Sequence, residues 1–341
     1  MCATTSTTRV TGDFEGYVEG WVTSLEACTD CDLTFSTRRD VPDHLYDSIY
    51  RQAANVFGYD RYVGYADGIK QASDPVAWLA EREAPYRVAL EWLDGLPEIG
   101  TVLEIGSGLG YLTYALRRRG VDAVGVDLSE DAVLAARSRF DEPEGYFLPE
   151  GIAERHPGGV DVVVGLEIVE HVPDPVAFVR GAMGYLRPGG SLVLSTPNRD
   201  AFTAETLWDS DTPPVHLTWF GSRSMKAVAD AVDADLAFVP TTDGDGVPLP
   251  ESGSSEVFAP FLTADGRATR AARRWTTRRR RAADAVLTRA ARPFREGRQR
   301  LPGVPRPWLV PPTSKTLGVV LTPRGHQVGG TTGPGTGTSG G

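Results

Sequence analysis

A glycine-rich stretch, an acid beyond it and two histidines are the residues whose types and spacing suit chemistry. In Thr101-Val102-Leu103-Glu104-Ile105-Gly106-Ser107-Gly108-Leu109-Gly110 an apolar, β-favouring run is followed by glycines at alternate positions. A ligand can approach such a backbone closely, because no Cβ stands in the way. Val121-Asp-Ala-Val-Gly-Val-Asp127-Leu128-Ser129 places an acid 17 residues past Gly110. An ionised Asp only accepts hydrogen bonds, and it can take both hydroxyls of a ribose. The plainer use of an acid here is to cap the next helix, a role that Ser129 suits better. His171 stands in Leu166-Glu167-Ile168-Val169-Glu170-His171-Val172-Pro173-Asp174-Pro175, and His216 in Thr212-Pro-Pro-Val-His216-Leu-Thr-Trp219-Phe220. Either imidazole is a candidate general base for a hydroxyl, since its unperturbed pKa lies nearest neutrality. The structural alternative for His171 is to bond the backbone and close a turn.

These residues need a scaffold that brings strand ends together. The glycine stretch reads as a strand over 101–106, a tight turn and a helix over 109–119. A strand over 122–127, a helix over 129–140 and a strand over 145–148 follow. Val160–Leu166 is an uninterrupted apolar strand, as the centre of a parallel sheet requires. Helix 175–186, strand 191–196, helix 222–233 and strand 235–240 continue the alternation, and 314–321 supplies a seventh strand. The spacing implies an α/β fold: a doubly wound, mostly parallel sheet with right-handed crossovers and ligands at the strands' carboxyl ends. Upstream, Ser73-Asp-Pro opens one helix that runs to Gly95, its apolar stripe docking on the sheet edge or over the ligand.

The dinucleotide fingerprint would need its third glycine where Tyr111 stands. With Glu104 and glycines at 106, 108 and 110, the pattern is E-x-G-x-G-x-G, and the chain resembles the class I S-adenosylmethionine-dependent methyltransferases. The resemblance spans about residues 15–240. It implies a Rossmann-like seven-stranded sheet whose last strand is antiparallel, and S-adenosyl-L-methionine as cofactor. It assigns cofactor binding to Glu104, Gly106, Ser107, Gly108, Gly110, Asp127, Leu128 and Leu166. It also places the adenine-binding turn at 151–154. Relatives often have Asp where Ile152 stands, so adenine recognition is expected from backbone around Ile152 and Ala153, or from Glu150 or Glu154. Residues 166–175 match an E-x-x-E-H-V-x-D-P form shared by quinol, sugar and RNA-end O-methyltransferases, which implies a catalytic His171. Relatives often show a histidine followed by an aromatic and then a helix, which makes His216 the second catalytic candidate. In small-RNA 3′-end methyltransferases the residues matching Glu167, Glu170, His171 and His216 bind a divalent metal. Most of the broader group need none, and none is expected here.

Residues 1–70 form a segment of their own. Trp21–Phe35, with Cys28 and Cys31, looks like a strand, a Cys-x-x-Cys knuckle and a second strand, similar to the zinc ribbon of methyltransferases in sugar and surface-polysaccharide pathways. Tetrahedral zinc needs four ligands. Here only Cys2 remains of the first knuckle, with Thr5 in its partner's place, so a degenerate, metal-free knuckle is expected. From this segment and the Arg-rich segment at 267–300, the acceptor is read as a hydroxyl of a sugar, glycan or lipid-linked precursor. The alternatives are a quinol or other small metabolite, and an RNA end.

The chain has 341 residues, 41% of them hydrophobic, and no 18-residue apolar run, which excludes a transmembrane helix. Three cysteines and no secretory signal point to a reducing cytoplasm. Net charge is −10, yet residues 263–306 hold 14 Arg against three acids. This Arg-rich helical segment lies in an insertion at 243–312, between the core (71–242) and the last strand (313–327). It suits contact with a membrane surface at the inner face better than contact with RNA, or it serves as an arm that neutralises the acidic body. The Gly/Thr/Ser/Pro-rich tail from 328 to 341 is expected to be disordered.

Overall fold

A computed structural model describes residues 6–56, 59–201, 212–240, 260–269 and 314–324. The Arg-rich segment beyond Thr269, Cys2 and the tail from 328 lie outside the described residues. Among the described residues no helix is long and apolar enough to cross a membrane.

The N-terminal segment contains β1 (Thr7–Arg9), β2 (Phe14–Glu15), β3 (Val22–Thr23), β4 (Leu25–Cys28) and β5 (Thr34–Ser36). Helices α1 (Leu45–Arg51), α2 (Asp60–Val63), α3 (Tyr65–Gln71), α4 (Pro75–Ala80) and α5 (Ala84–Leu93) follow. The core comprises β6 (Thr101–Ile105), α6 (Tyr111–Arg118), β7 (Asp122–Val126), α7 (Glu130–Phe140), β8 (Tyr146–Phe147) and α8 (Ile152–Arg155). It continues with β9 (Val160–Leu166), α9 (Pro175–Met183), β10 (Leu186–Pro197), β11 (Thr218–Trp219), α10 (Ser222–Ala231), β12 (Ala234–Val239) and β13 (Thr316–Pro323).

Seven strands make one sheet in the order β12-β13-β10-β9-β6-β7-β8. Only β13 runs antiparallel to its neighbours, as the resemblance implied. The central strands bury both faces: Val102 and Leu103 of β6 and Val162, Val163 and Val164 of β9 are all 2% exposed or less. The helix starts follow local chemistry. Ser129 caps α7 by accepting from the Ala132 N–H at 3.2 Å, and Asp174 caps α9 by accepting from Ala177 at 3.0 Å. Each cap satisfies a backbone donor that the first helical turn leaves open.

The single helix expected over 73–95 is two. Asp74 and Pro75 start α4, but Glu83 is extended (φ −133°, ψ 130°) and Pro85 restarts the chain as α5. Proline disfavours a continuous helix through the residues before it. The break lets α5 lie on the sheet, with Val88 against Gly318 of β13 and Trp92 Nε1 donating to Ser191 at 3.1 Å. It also turns Glu83 towards the ligand cavity.

The strand–knuckle–strand reading of Trp21–Phe35 corresponds to β4, the turn at 29–33 and β5, with Cys28 and Cys31 buried. These strands are joined to the core. A second sheet runs β1-β4-β5-β11, and β11 begins two residues after His216.

The sharpest fold requirement lies at Gly110, the residue before α6. It is left-handed (φ +82°), and a Cβ there would stand 2.6 Å from Tyr146 Cε1 and 2.8 Å from Ala136 Cβ. Gly110→Ala is expected to cost about 2–4 kcal/mol, from left-handed strain and overpacking together. Chemical denaturation checks this, and an unchanged midpoint would contradict it.

Candidate active site

A cavity of about 780 Å³ opens at the carboxyl ends of β6, β7 and β9, within the size range of cofactor and substrate pockets. The glycine turn forms its floor. Gly106 and Ser107 both donate to the Val126 carbonyl, at 2.8 and 2.9 Å, which pins the turn to β7. Gly106, Gly108 and Gly110 all have positive φ. A Cβ on Gly108 would project into the narrow space below the Tyr50 hydroxyl, 3.1 Å from it. The Ser107 side chain packs over Gly125, where an added Cβ would lie 2.9 Å from its Oγ.

Asp127 is 8% exposed and lines the cavity. Its Oδ2 accepts from the Gly108 N–H at 2.8 Å and its Oδ1 from the Ser129 N–H at 2.9 Å. A carboxylate has about four acceptor sites, so capacity remains for two hydroxyls. Burial raises its pKa, and the backbone donors oppose that rise. Beside it, Leu128 lines the cavity with 88% of its surface exposed, an apolar platform suited to a purine face. The buried acid, the glycine floor and this platform fit an adenosyl group.

Two cofactor assignments read differently in three dimensions. Glu104 lines the cavity, yet its Oε2 accepts from the Thr113 N–H at 2.9 Å and the Thr113 hydroxyl at 2.6 Å, tying α6 to β6. Burial pushes it up to about 7, with Asp127 adding to the rise and the Thr113 bonds opposing it. Ile152 is 1% exposed and packs in the hydrophobic core, so its side chain is a core residue rather than a cavity wall. Ala153 belongs to the short helix α8, and Glu150 is exposed. On this side the wall comes from Leu128, Ser129 and Pro149, while Leu166 lines the cavity as expected.

The Glu104 shift gives a signed prediction. Its folded pKa lies above the ordinary 4.5, so its contribution is most favourable below 4.5 and is lost as pH rises through about 7. Glu104→Gln should therefore match the wild type near pH 4.5 and exceed it above pH 8, by on the order of 1–3 kcal/mol. Denaturation midpoints at the two pH values test this, and an equal difference at both would contradict it.

Across the cavity stand His171 and His216, their ring centroids 4.6 Å apart at 89°. Backbone pairing brings them together: Leu217 and Thr218 N–H groups donate to the Glu170 carbonyl at 2.8 and 3.2 Å. β11 then continues onto β5, so the N-terminal sheet braces the His216 segment. His171 Nδ1 donates to the Val215 carbonyl at 2.7 Å, which leaves Nε2 as the basic nitrogen, 3.9 Å from Glu170 Oε1. The backbone-bonding role and the basic role thus coexist on opposite ring atoms. Burial pushes both histidines down to about 3, and for His171 the neighbouring His216 adds to it. Both imidazoles are neutral at physiological pH.

Glu170, His171 and His216 have ligand atoms within 4.8 Å of one another. Glu167 lines the cavity but stands outside that cluster. It has φ +52°, turns the chain out of β9, and accepts from the Ser195 hydroxyl at 2.9 Å.

Much of the remaining wall is aromatic and comes from the N-terminal helices. Tyr46, Tyr50, Tyr59, Tyr62 and Tyr86 face the cavity, and Tyr46 meets the His171 ring edge-on at 5.9 Å. Burial raises the Tyr46 and Tyr50 hydroxyls well above 10, keeping them neutral.

A family profile described as a methyltransferase domain matches residues 54–237. The ubiquinone biosynthesis O-methyltransferase of Pseudomonas paraeruginosa is 37% identical over 123 residues, 34% of this chain and 52% of that protein. The Psychrobacter arcticus protein of the same name is 42% identical over 106 residues, 29% of this chain and 41% of that one. The chain thus spans about half the length of these relatives. Among solved structures, the methyltransferase complexed with the Haloferax volcanii Trm112 methyltransferase activator is 18% identical. That likeness covers 83% of this chain and 99% of the other, with a TM-score of 0.45.

Proposed function

The chain belongs to the methyltransferase-domain family, with S-adenosylmethionine as cofactor, and from that premise we propose that it methylates a hydroxyl of a quinol or comparable small aromatic metabolite. The carrying observation is the cavity wall: a row of neutral tyrosines facing two neutral imidazoles. Such a wall suits a flat, uncharged ring with one hydroxyl presented to the histidines. The relatives named for ubiquinone biosynthesis support a quinol over the sugar or glycan expected from the ribbon-like segment.

The residues divide the work. Gly106, Ser107, Gly108 and Gly110 let the cofactor lie close to the turn, Asp127 accepts from its ribose hydroxyls, and Leu128 covers its purine. When bound, the cofactor supplies a methyl group on a sulfonium, already a strong electrophile. The protein's task is then to align the acceptor oxygen and receive its proton. His171 Nε2 is oriented for that proton by the bond its Nδ1 makes to Val215. His216 packs against the His171 ring and, with the tyrosines, excludes water.

A second reading is favoured by the closeness of Glu170, His171 and His216. One carboxylate and two neutral imidazoles are a donor set for a borderline divalent cation such as Zn²⁺. A cation there would acidify the acceptor hydroxyl and relieve the demand on a weakly basic imidazole. Chelation followed by metal restoration separates the two readings.

The acceptor is tested by following labelled methyl from S-adenosylmethionine onto a catechol or demethylated quinol and onto a panel of nucleotide sugars. Methylated catechol with unmodified sugars is expected. Methylated sugar with unmodified catechol would overturn the aromatic reading.

A further inference from the structure

The two sides of the cavity rest on different hydrophobic cores. Strands β6 and β7, which lead into the glycine turn and Asp127, pack Leu103, Val124 and Val126 into the core of the main sheet. The histidine side rests elsewhere. Leu45 and Ile49 of α1, Val215 and Leu217 on either side of His216, and Tyr17, Val18 and Trp21 form a cluster of their own. Tyr46 packs against it and also lines the cavity. Three residues from far along the chain complete that cluster: Phe261, Leu262 and Ala268, all 8% exposed or less.

Residues 260–269 fold back on themselves as a tight hairpin. The Thr269 N–H donates to the Phe261 carbonyl at 2.9 Å and the Thr263 N–H to the Arg267 carbonyl at 2.8 Å. One side of the hairpin is tied to the N-terminal segment. The Phe261 and Leu262 N–H groups donate to the Tyr17 carbonyl at 2.9 and 3.0 Å, and the Glu19 N–H donates to the Leu262 carbonyl at 2.9 Å. The Tyr17 N–H in turn donates at 2.7 Å to the carbonyl of Pro213, three residues before His216. The other side holds α1 through Gln52, whose Nε2 donates to the Gly266 carbonyl at 2.7 Å and whose Oε1 accepts from the Ala268 N–H at 2.9 Å. Gly266 is left-handed (φ +80°), and a Cβ there would collide with Ser48 Oγ of α1.

Helix α1 has only seven residues, too few to stay helical in water without packing partners. Leu45, Ile49 and Gln52, spaced i, i+4 and i+7, meet the hairpin side, while Tyr46 and Tyr50 line the cavity. No residue of the hairpin lines the cavity itself. We infer that the 260–269 hairpin is a positioning strap for the acceptor side of the site. Through α1 it sets Tyr46, and through the Tyr17–Pro213 link it sets His216, with Leu262 at its buried centre. The inference rests on the acceptor-side roles proposed for His171 and His216 and deepens them, by giving part of the insertion a place in the reaction.

Hydrogen exchange read by mass spectrometry on the full chain tests the strap without any acceptor. Leu262→Ala removes buried contacts at the centre of the hairpin, and Gln52→Met removes both bonds to α1 while keeping the length of the side chain. Each is expected to speed exchange in α1 and in residues 213–219 by about tenfold or more, with β6 and β7 unchanged within about twofold. Leu262→Ala should also lower kcat for methyl transfer to catechol by about tenfold or more at saturating donor and acceptor, because small misplacements of reacting groups are costly. Leu262→Met conserves volume and should restore both readouts. Gln52→Met carries the test should Leu262→Ala not fold. Exchange that rises equally in β6 and β7, or only within 260–269, would overturn the strap, and so would an unchanged kcat in the folded variant. A wild type that left catechol unmethylated would remove the proposed acceptor, and the exchange pattern would still uphold or overturn the strap.

Discussion

His216→Ala is expected to lower kcat by about 10²- to 10⁴-fold while S-adenosylhomocysteine affinity stays within about twofold. The histidine is 7% exposed and stands edge-on to His171 at 4.6 Å, on the cavity face opposite the glycine turn. Its loss opens a void beside the acceptor oxygen and frees the His171 ring to tilt. The cation reading requires this loss because His216 would be a ligand, and the general-base reading requires it because His216 packs against the His171 ring that takes the proton. The pH behaviour carries a further check. With both histidines pushed down to about 3, the folded protein refuses protons that the unfolded chain takes below 6.5. Their contribution to stability is therefore intact above pH 6.5 and falls as pH drops towards 3. His216→Ala should flatten that acid slope. Comparable kcat in variant and wild type, measured with saturating donor and acceptor, would remove His216 from the mechanism.

The parts of this site that depend on near neighbours in sequence were legible before the fold was known. The glycine turn, the acid closing β7 and the Ser129 cap are each set within a few residues by strand alternation, positive φ and first-turn donors. The antiparallel placement of β13 came from resemblance alone, because nothing in Thr316–Pro323 encodes direction. What sequence reading missed is non-local. The tyrosine wall draws on α1, α2 and α5, and no spacing rule links residues 46, 62 and 86. Their abundance upstream of the glycine turn was the one available signal. The break at Glu83 was signalled by Pro85, but the apolar stripe through Trp78, Val88 and Trp92 outweighed it. The bracing of His216 through the β5–β11 pairing joins positions 34–36 to 218–219, a separation at which sequence pattern carries no register.

The account depends most on Asp127 and the glycine turn acting as one binding surface. Asp127→Ala removes the acceptor for ribose hydroxyls and releases the Gly108 and Ser129 N–H groups that its two oxygens now hold. The turn would loosen just where the nucleoside must lie. Losing a buried charged partner of two hydroxyls, together with that ordering, should weaken nucleoside binding by about a hundredfold. The decisive measurement is calorimetry with S-adenosylhomocysteine on the wild type and on Asp127→Ala, with denaturation curves confirming that the variant is folded. Saturable one-to-one binding by the wild type and a hundredfold loss in the variant is the expected result. Equal affinity in the two proteins, or no heat from the wild type, would contradict it.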